Sequence, residues 1–448
     1  MWAGKLGKYA VEIQAAQLPT EVIHATKRCV LDWFSATIQG GLEDPARFIT
    51  AALANENATG SSTLIPSGAP ATPRDAALIN GTAAHTLEVD DIFRDGIYHP
   101  GPPVIAAALA ACQSRDSSGA ELIASVVAGY EVSNRIAAAI QPAHYDYWHT
   151  TGTVGAFGAA AASARALGLN GVQAKHAIAN SATFAAALQQ AFRSDAMSKP
   201  LHAGRAAETG LLCAMMAAEG VTGADNMIEG DRGFGNAMSR DVDWASAFAD
   251  LGASYTITRM TQKNHCCCGH TFAAIDGVLE ICTTNGLGAE DIRTISVGSY
   301  QKALEVCGNR DPQTPYEAKF SLAYVCAMAA LSGSVRLSAF TPEWLNDSRI
   351  RGLMDRVDMR IDDRAQGVFP GHRSAFVDIE ATDGRTFSHH APTRKGDPDA
   401  PLSKAELEGK FRELAGPAIG DAAVAEMIAK VWRLDEIGDL GELTPEAC

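Results

Sequence analysis

The chain has 448 residues, and its 37 lysines and arginines against 52 aspartates and glutamates give a formal net charge of −15. Hydrophobic residues make up 47% and charged residues 20%, which is ordinary for a folded globular protein and excludes a largely disordered chain. The acidic balance argues against a nucleic-acid binder and against a basic membrane-surface protein. It also disfavours an anionic substrate, unless positive charge is concentrated locally.

Hydropathy and cysteine usage predict the compartment. The most apolar window, 152–170, is rich in glycine and alanine and contains Arg165, so we expect no membrane span. Residues 1–14 are spaced like an amphipathic helix and lack the apolar stretch of a secretory signal. The ten cysteines are scattered, mostly within apolar helical patterns. We therefore expect a cytoplasmic protein with free thiols.

The first part of the chain, up to about residue 260, has a helical hydrophobic pattern. Alanine favours helix formation, and small side chains allow helices to pack closely. No convincing strand is found in this part. The segments with helical spacing are 21–39, 75–87, 104–113, 119–141, 153–167, 171–191 and 205–218.

The pattern changes near residue 264. Helical spacing at 271–281 and 315–332 now alternates with strand-like segments at 292–300, 359–361, 375–380 and 385–389. Residues 393–401 have the composition of a polar linker, and a capping box at Ser403 begins a last helix. The prediction is a two-domain protein. A large all-α helical-bundle domain, discontinuous in sequence, takes residues 1–267 and 399–448, and a smaller inserted α+β domain takes residues 268–398.

Several common motifs are missing. There is no G-x-G-x-x-G after a predicted strand, no P-loop, no G-x-S-x-G and no H-E-x-x-H. The usual signals of nucleotide cofactors, serine hydrolysis and zinc proteases are thus absent. The three consecutive cysteines at 266–268 lack C-x-x-C spacing and a second ligand pair, so a structural zinc site is disfavoured.

Five polar segments are candidates for chemistry. In the first, an acidic stretch containing Asp91 leads to His99, just before a predicted helix start, where backbone N–H groups attract anions. The alternative is a solvated acidic face with a loop histidine. The second, 144–155, places Tyr145 and His149 before a Gly/Ala-rich helix. The alternative is an aromatic plug with threonine capping.

The third segment holds Lys199, His202 and Arg205, three potential cations in a very acidic protein. Such a local reversal of charge suits carboxylate binding, although a solvated basic turn is the alternative. The fourth, 263–277, contains Lys263 and Cys268 where the pattern changes.

The fifth segment, 311–330, contains Tyr316 and Tyr324. Both are candidate site residues, but an aromatic side chain on an apolar helix usually belongs to the core.

Together these segments, in order across residues 80–325, resemble the MmgE/PrpD family, which includes 2-methylcitrate dehydratase, cis-aconitate decarboxylase and iminodisuccinate epimerase. The resemblance implies a helical domain with an inserted α+β domain, a homodimer, no metal and no organic cofactor. The matching stretches are NGTAAHTLEVDD followed by HPGPPV, WHTTGTVGAFGAAAA, SKPLHAGRAAETGLL, KNHCCCGHTFAAIDG and EAKFSLAY.

The resemblance also implies site residues, and this chain departs from the family pattern in places. Where members usually read D-F-D-D-T, residues 88–92 read E-V-D-D-I, and the longer loop to His99 carries Arg94. Cys268 stands where many dehydratases and decarboxylases have histidine or glutamate. These departures favour the iminodisuccinate epimerase branch. The positions carried over are His99, His149, Lys199, Lys263 and Tyr324, with Tyr316 as the alternative tyrosine.

The expected function is a cofactor-independent epimerase of a small anionic, iminodisuccinate-like polycarboxylate, with two bases that remove and return an α-proton. His99 is expected to pair with Tyr145 or Lys263. One alternative is a dehydratase of 2-methylcitrate or a related hydroxy-polycarboxylate, and another is a non-catalytic scaffold or binding protein. The residues expected to bind the substrate are Lys199, His149, Arg205, Asp91, Cys268 and Tyr324.

Overall fold

A computed structural model describes residues 1–54, 59–192 and 196–445. The chain divides into two compact units, the first made of 1–86, 90–261 and 403–448 and the second of 87–89 and 262–402. The units change at 261/262 and 402/403, a few residues from the expected 267/268 and 398/399. The short segment 87–89 groups with the second unit, although the expected helical domain included it. The last three residues of that expected domain, including Cys448, lie outside the described residues.

The first unit is built mainly from helices. Each of the seven predicted segments forms one, but the segment 171–191 is helical only as far as Phe184, because the backbone becomes extended at Ala185. The helices before the second unit are α1 (Trp2–Glu12), α2 (Thr20–Gly40), α3 (Ala46–Leu53), α4 (Pro73–Thr86), α5 (Gly101–Gln113), α6 (Gly119–Ala139), α7 (Thr150–Thr153), α8 (Gly155–Ala166), α9 (Gly171–Phe184), α10 (Ser198–Ala218), α11 (Phe234–Met238) and α12 (Trp244–Ala247).

Two very short antiparallel pairs interrupt these helices, where no strand was expected. Strand β1 (Ser62–Thr63) pairs with β2 (Pro70–Ala71), and β3 (Ile92–Phe93) pairs with β4 (Met260–Thr261). Each strand has two residues, which is too short to produce a period-2 hydrophobic pattern. Strand β3 lies on the segment that leads from α4 to α5.

Small residues set the distance between α4 and α10. A Cβ atom at Gly204 on α10 would overlap the carbonyl oxygen of Leu78 on α4. A Cβ atom at Gly81 would lie only 3.0 Å from the Cα of Gly204. The two helices therefore approach closely because both positions are glycine.

The centre of the first unit is formed by α5 and its neighbours. All residues of α5 from Gly101 to Cys112 are buried, which its sequence permits because the helix carries no charged side chain. The nine described cysteines are free thiols, and eight of them are buried, in line with a role as small apolar residues. No described helix has the length and apolarity needed to span a bilayer.

The second unit contains a four-stranded mixed sheet in the order β6-β5-β7-β8, where β5 runs parallel to β6 and antiparallel to β7. Gly277 allows the first helix of the unit to lie against Val377, because a Cβ atom there would lie 2.7 Å from that side chain. The elements are α13 (Phe272–Asn285), β5 (Ile292–Ser299), α14 (Gln301–Cys307), α15 (Pro315–Ala318), α16 (Leu322–Ser332), α17 (Pro342–Leu345), α18 (Ser348–Met354), β6 (Val357–Ile361), α19 (Asp363–Val368), β7 (Ala375–Ala381) and β8 (Thr386–Ala391).

Two details of the second unit differ from the sequence prediction. The single helix expected at 315–332 is split into α15 and α16, since Ser321 caps a new helix start. The expected polar linker at 393–401 is largely packed into the unit. The Arg394 guanidinium, 1% exposed, forms an ion pair of 2.6 Å with buried Asp397 and donates to the carbonyl of Gly269 at 3.0 Å.

The chain then returns to the first unit through α20 (Lys404–Trp432). Its start is the predicted capping box, in which Ser403 and Glu406 exchange side-chain and backbone hydrogen bonds. The helix bends at Gly420, where φ is 77°. A buried ion pair of 2.6 Å between Lys410 and Asp32 ties α20 to α2.

Candidate active site

Four imidazole rings of the first unit pack together, and we call them the histidine cluster: His85, His99, His149 and His202. His85 lies near the end of α4, His99 in the loop before α5, His149 at the N-cap of α7 and His202 in α10. Ring centroids are 4.9 Å apart for His85 and His99, 5.4 Å for His85 and His149, 6.5 Å for His99 and His149, and 5.3 Å for His149 and His202.

A single carboxylate oxygen lies between two of these rings. The Oδ2 atom of Asp90 is 2.8 Å from Nδ1 of His85 and 3.0 Å from Nδ1 of His99. The same nitrogen of His99 is 2.9 Å from the carbonyl oxygen of Asp91. Because Nδ1 of His99 faces two acceptors, it carries the proton, and in the neutral ring the lone pair is on Nε2.

The local backbone explains how Asp90 reaches both rings. Helix α4 ends at Thr86, and the chain turns at Glu88, which has a φ of 62°. This left-handed conformation is uncommon for a residue other than glycine. It reverses the chain direction within a few residues, so that Asp90 lies against His85, which is only five positions earlier in the sequence.

Asp91 supports the same loop from the other side. Its Oδ1 atom accepts from the Gly101 N–H at 2.9 Å, at the start of α5, and its Oδ2 atom accepts from the Tyr130 hydroxyl at 2.7 Å. Burial, followed by the nearby Asp32 carboxylate, raises the pKa of Asp91 to about 8. The carboxyl group thus holds the start of α5, and the Asp91 carbonyl orients His99.

His149 and His202 form a second pair. Their Nδ1 atoms are 3.0 Å apart, and His149 is 1% exposed. Burial, reinforced by neighbouring imidazoles and Lys199, holds the pKa of His149 well below its usual value. The same influences lower the pKa of His202 to about 4. Both rings are therefore neutral at pH 7.

Lys199 supplies positive charge beside this pair. It is the second residue of α10 and is 4% exposed, and its ammonium lies 5.3 Å from the centroid of the Phe192 ring. Phe192 in turn packs edge-on against His149, with ring centroids 4.9 Å apart. A lysine at a helix N-terminus adds its charge to the positive end of the helix dipole, which favours anionic ligands.

Tyr145 and Arg205 are two more of the expected site residues. Tyr145 is half-buried, and its ring centroid is 6.5 Å from that of Phe192, which also packs against His149. Arg205 is exposed and forms an ion pair with Glu208, which also pairs with Arg74. Within the described residues, Arg205 belongs to a surface ion-pair group rather than to the histidine cluster.

The second unit contains two buried lysines that bind one short segment. The ammonium of Lys263 donates to the carbonyl oxygen of Glu88 at 2.9 Å and lies 3.3 Å from its carboxylate. The ammonium of Lys319 donates to the Leu87 carbonyl at 3.0 Å, and burial lowers its pKa. Lys319, which sequence reasoning missed, thus acts with Lys263 to hold residues 87–88.

Cys268 and Tyr324 have well-defined structural partners. Cys268 is buried, and its N–H donates to the Lys319 carbonyl at 3.0 Å. Tyr324 is fully buried in α16, and its hydroxyl donates to the Ala339 carbonyl at 2.6 Å. The alternative tyrosine, Tyr316, packs on Phe320 with ring centroids 5.2 Å apart.

One group of side chains has the composition of a metal site. The ligand atoms of His85, Asp90 and His99 all lie within 4.8 Å of one another. The hydrogen bonds from both Nδ1 atoms to Asp90 account for this arrangement. Residues 266–268 form no such group among the residues that the structure describes. The expected absence of a metal stays a prediction.

Two members of this constellation, His85 and Asp90, were not selected from the sequence, and His202 was noted only as a potential cation. His85 and Asp90 both lie in the stretch NGTAAHTLEVDD, and His202 lies in SKPLHAGR. The only available signal was their position inside those motifs, because a histidine within a helical pattern gives no sign of which ring it will contact.

A buried carboxylate, four packed imidazoles and a buried lysine lie on this helical scaffold, a composition typical of acid–base sites. Sequence models identify the family. The MmgE/PrpD N-terminal domain matches residues 4–247, and the MmgE/PrpD C-terminal domain matches residues 265–434. The chain therefore belongs to the MmgE/PrpD family.

Curated relatives are similar over nearly their whole length. The chain is 25% identical to cis-aconitate decarboxylase of Homo sapiens, over 96% of this chain and 91% of the relative. It is 24% identical to the cis-aconitate decarboxylase-like protein oryM of Aspergillus oryzae, over 98% and 95% of the two chains. It is 23% identical to cis-aconitate decarboxylase of Aspergillus terreus, over 97% and 93%.

Proposed function

We propose that the protein is an enzyme that moves a proton at the carbon next to a carboxylate of a small polycarboxylate, and that the reaction is the epimerisation of an iminodisuccinate-like substrate. The proposal depends on one observation. Asp90 accepts the Nδ1 protons of both His85 and His99, so Nε2 is the atom of the His99 ring that can act as the base.

His99 is suited to take the first proton. Its side chain is 16% exposed, while Asp90 beneath it is 1% exposed, so a substrate can reach the ring from the solvent side. When Nε2 accepts the α-proton the ring becomes an imidazolium, and the Asp90 carboxylate already lies against its Nδ1–H. A charge that develops next to a preorganised opposite charge is stabilised without further rearrangement.

A second group must return a proton to the opposite face of the carbon. Each base must come within about 3–3.5 Å of the reacting atom in a productive complex, so the two bases must belong to neighbouring side chains. The ring centroids of His99 and His149 are 6.5 Å apart. We therefore favour His149, which packs directly against His85 and His202, as the second base over Tyr145.

Lys199 is the proposed binding group for a substrate carboxylate. It combines a buried ammonium with the N-terminus of a helix of 21 residues. The net charge of −15 then describes the average surface, whereas Lys199 places a positive charge beside the histidine pair. Added salt should weaken substrate binding, because it screens this attraction.

Decarboxylation is the second candidate, and the names of the curated relatives favour it. Loss of CO₂ from a polycarboxylate leaves a carbanion that must take up a proton, and the same imidazoles could supply it. The two reactions differ in which bond to the carbon breaks first. The residues of the histidine cluster serve either one.

The test is a comparison of products in D₂O. With iminodisuccinate, an epimerase interconverts the stereoisomers and incorporates deuterium at the α-carbon, with no CO₂ released. With cis-aconitate, a decarboxylase releases CO₂, and with 2-methylcitrate a dehydratase produces the ultraviolet absorbance of an unsaturated acid. CO₂ release or alkene formation without isomer exchange would replace the epimerase proposal by the corresponding lyase.

The role of His99 is tested in the same assay. His99→Ala should lose at least about 10²-fold in kcat, the usual contribution of an acid–base group. His372→Ala is the matched control, because His372 is more than half exposed at 53% and lies in the second unit. Turnover of His99→Ala equal to that of the control would contradict the assignment.

A further inference from the structure

We infer that His202 relays protons between solvent and His149, through the single proton that lies between the two Nδ1 atoms. The inference rests on the proposed function for its catalytic consequence. The arrangement of the pair follows from the 3.0 Å contact between two neutral rings.

The Nδ1–Nδ1 contact fixes how many protons the pair holds. At 3.0 Å the two nitrogens are at hydrogen-bond distance. Two bare lone pairs at that distance would repel, and two N–H groups would clash, so one ring carries Nδ1–H and the other accepts. Since each neutral imidazole holds one proton, the rings are opposite tautomers: the acceptor ring carries its proton on Nε2.

Burial separates the roles of the two rings. His149 is 1% exposed and packs against His85 and Phe192, so it has little direct access to bulk water. His202 is only half-buried. When His149 gives a proton to the substrate, that proton must be replaced. The hydrogen bond to His202 lets His149 take up a new proton as the old one leaves, so the buried ring does not become charged.

The relay leaves the number of protons on the two rings unchanged. In the starting state His202 carries Nδ1–H, and His149 carries its proton on Nε2. His149 gives the Nε2 proton to the substrate carbanion, its Nδ1 takes the proton of His202, and Nε2 of His202 takes one from solvent. One proton enters at His202, one leaves at His149, and both rings stay neutral, as expected from their lowered pKa values.

The resting arrangement is tested by ¹⁵N NMR of the histidine side chains in the wild-type protein at pH 7, with signals assigned through His149→Gln and His202→Gln. The expected result is that one of the two rings is the Nδ1–H tautomer and the other the Nε2–H tautomer, or that both exchange rapidly between these forms together. Finding both rings fixed as Nε2–H tautomers would overturn the inference whatever the activity of the protein.

The relay is tested by chemical rescue. His202→Ala should lose about 10²-fold in kcat, and free imidazole in the buffer, which can occupy the space of the missing ring, should restore most of it. His202→Asn can still hydrogen-bond to His149 but cannot pass a proton through a second nitrogen, so it should stay slow without imidazole. Wild-type turnover in either variant, or a loss in His202→Ala that imidazole does not relieve, would refute the relay.

The two proposals fail in different ways. If the wild-type protein exchanges no substrate proton and releases no CO₂, the proposed function fails, while the NMR result still decides the state of the pair. If turnover is present and the variants behave like wild type, only the relay fails. His372→Ala, with and without imidazole, controls for a general effect of the buffer.

Discussion

Replacing Asp90 by asparagine tests the central feature of the site. The side chain keeps its shape, but the negative charge between His85 and His99 is removed. A unit charge at 3.0 Å from Nδ1 of His99 would stabilise the imidazolium by about 5 kcal/mol at an effective dielectric constant of about 20. A neutral hydrogen bond retains roughly half the strength of a charge-assisted one. The expected loss is therefore about 3 kcal/mol, or a factor of about 10² in kcat.

The assay compares kcat and KM of Asp90→Asn with those of the wild-type enzyme, on whichever substrate the product comparison identifies. KM should change little, because Asp90 acts on His99 beneath the substrate. Asp95→Asn is the matched control, since Asp95 is 38% exposed and pairs with Arg259 at 3.4 Å. A kcat for Asp90→Asn equal to that of the control, in a variant that unfolds at the wild-type temperature, would refute the reasoning.

Three further predictions concern other buried side chains of the two units. The raised pKa of Asp91, about 8, keeps its carboxyl group protonated in the folded protein. The protonated group therefore contributes its full share of the unfolding free energy below the pKa of the unfolded chain, and this share is lost as the pH rises towards 8. In urea unfolding, the unfolding free energy of the wild type should fall by up to about 1.4 kcal/mol per pH unit relative to that of Asp91→Asn. A difference in unfolding free energy that does not change with pH would contradict this. Lys263→Met should cost about 3–5 kcal/mol of unfolding free energy by leaving the Glu88 carboxylate buried, and a second change, Glu88→Gln, should recover much of it. No recovery in the double variant would show that the ion pair is not the cause. Tyr324→Phe should cost about 1 kcal/mol through the lost hydroxyl bond and leave kcat and KM unchanged, whereas a raised KM would place this tyrosine at the substrate.

Hydrophobic periodicity was sufficient to predict most of the secondary structure. Helices of 14 or 21 residues, such as α4 and α2, repeat the helical pattern several times, so they are evident from the sequence. The two-residue strands are not, because they contain no repeat. The segment 393–401 was mistaken for a linker because charged residues are usually exposed to solvent. Here Arg394 and Asp397 are buried together as an ion pair, which the composition of the segment does not indicate.

The candidate site was only partly predictable, for a different reason. His99, His149 and Lys199 precede or begin helices, and that placement is readable from helix start signals. The contact between Asp90 and His85 depends on the left-handed backbone at Glu88. Glycine is the usual sign of such a conformation in a sequence, so a glutamate at this position gives no indication of it. The contact between His149 and His202 depends on how two helices distant in sequence pack together, and no local pattern contains that information.

The close approach of α4 and α10 has a consequence for how the protein tolerates mutation. Gly81 lies one helical turn before His85, and Gly204 lies two residues after His202, so the glycine contact fixes the spacing of the helices that carry these two imidazoles. A methyl group at Gly204 would overlap the backbone of α4, and one at Gly81 would be tightly crowded against α10. In a saturation-mutagenesis screen for activity, Gly81 and Gly204 should therefore rank among the least substitutable positions, beside residues that bind substrate, although neither carries a side chain that could touch it.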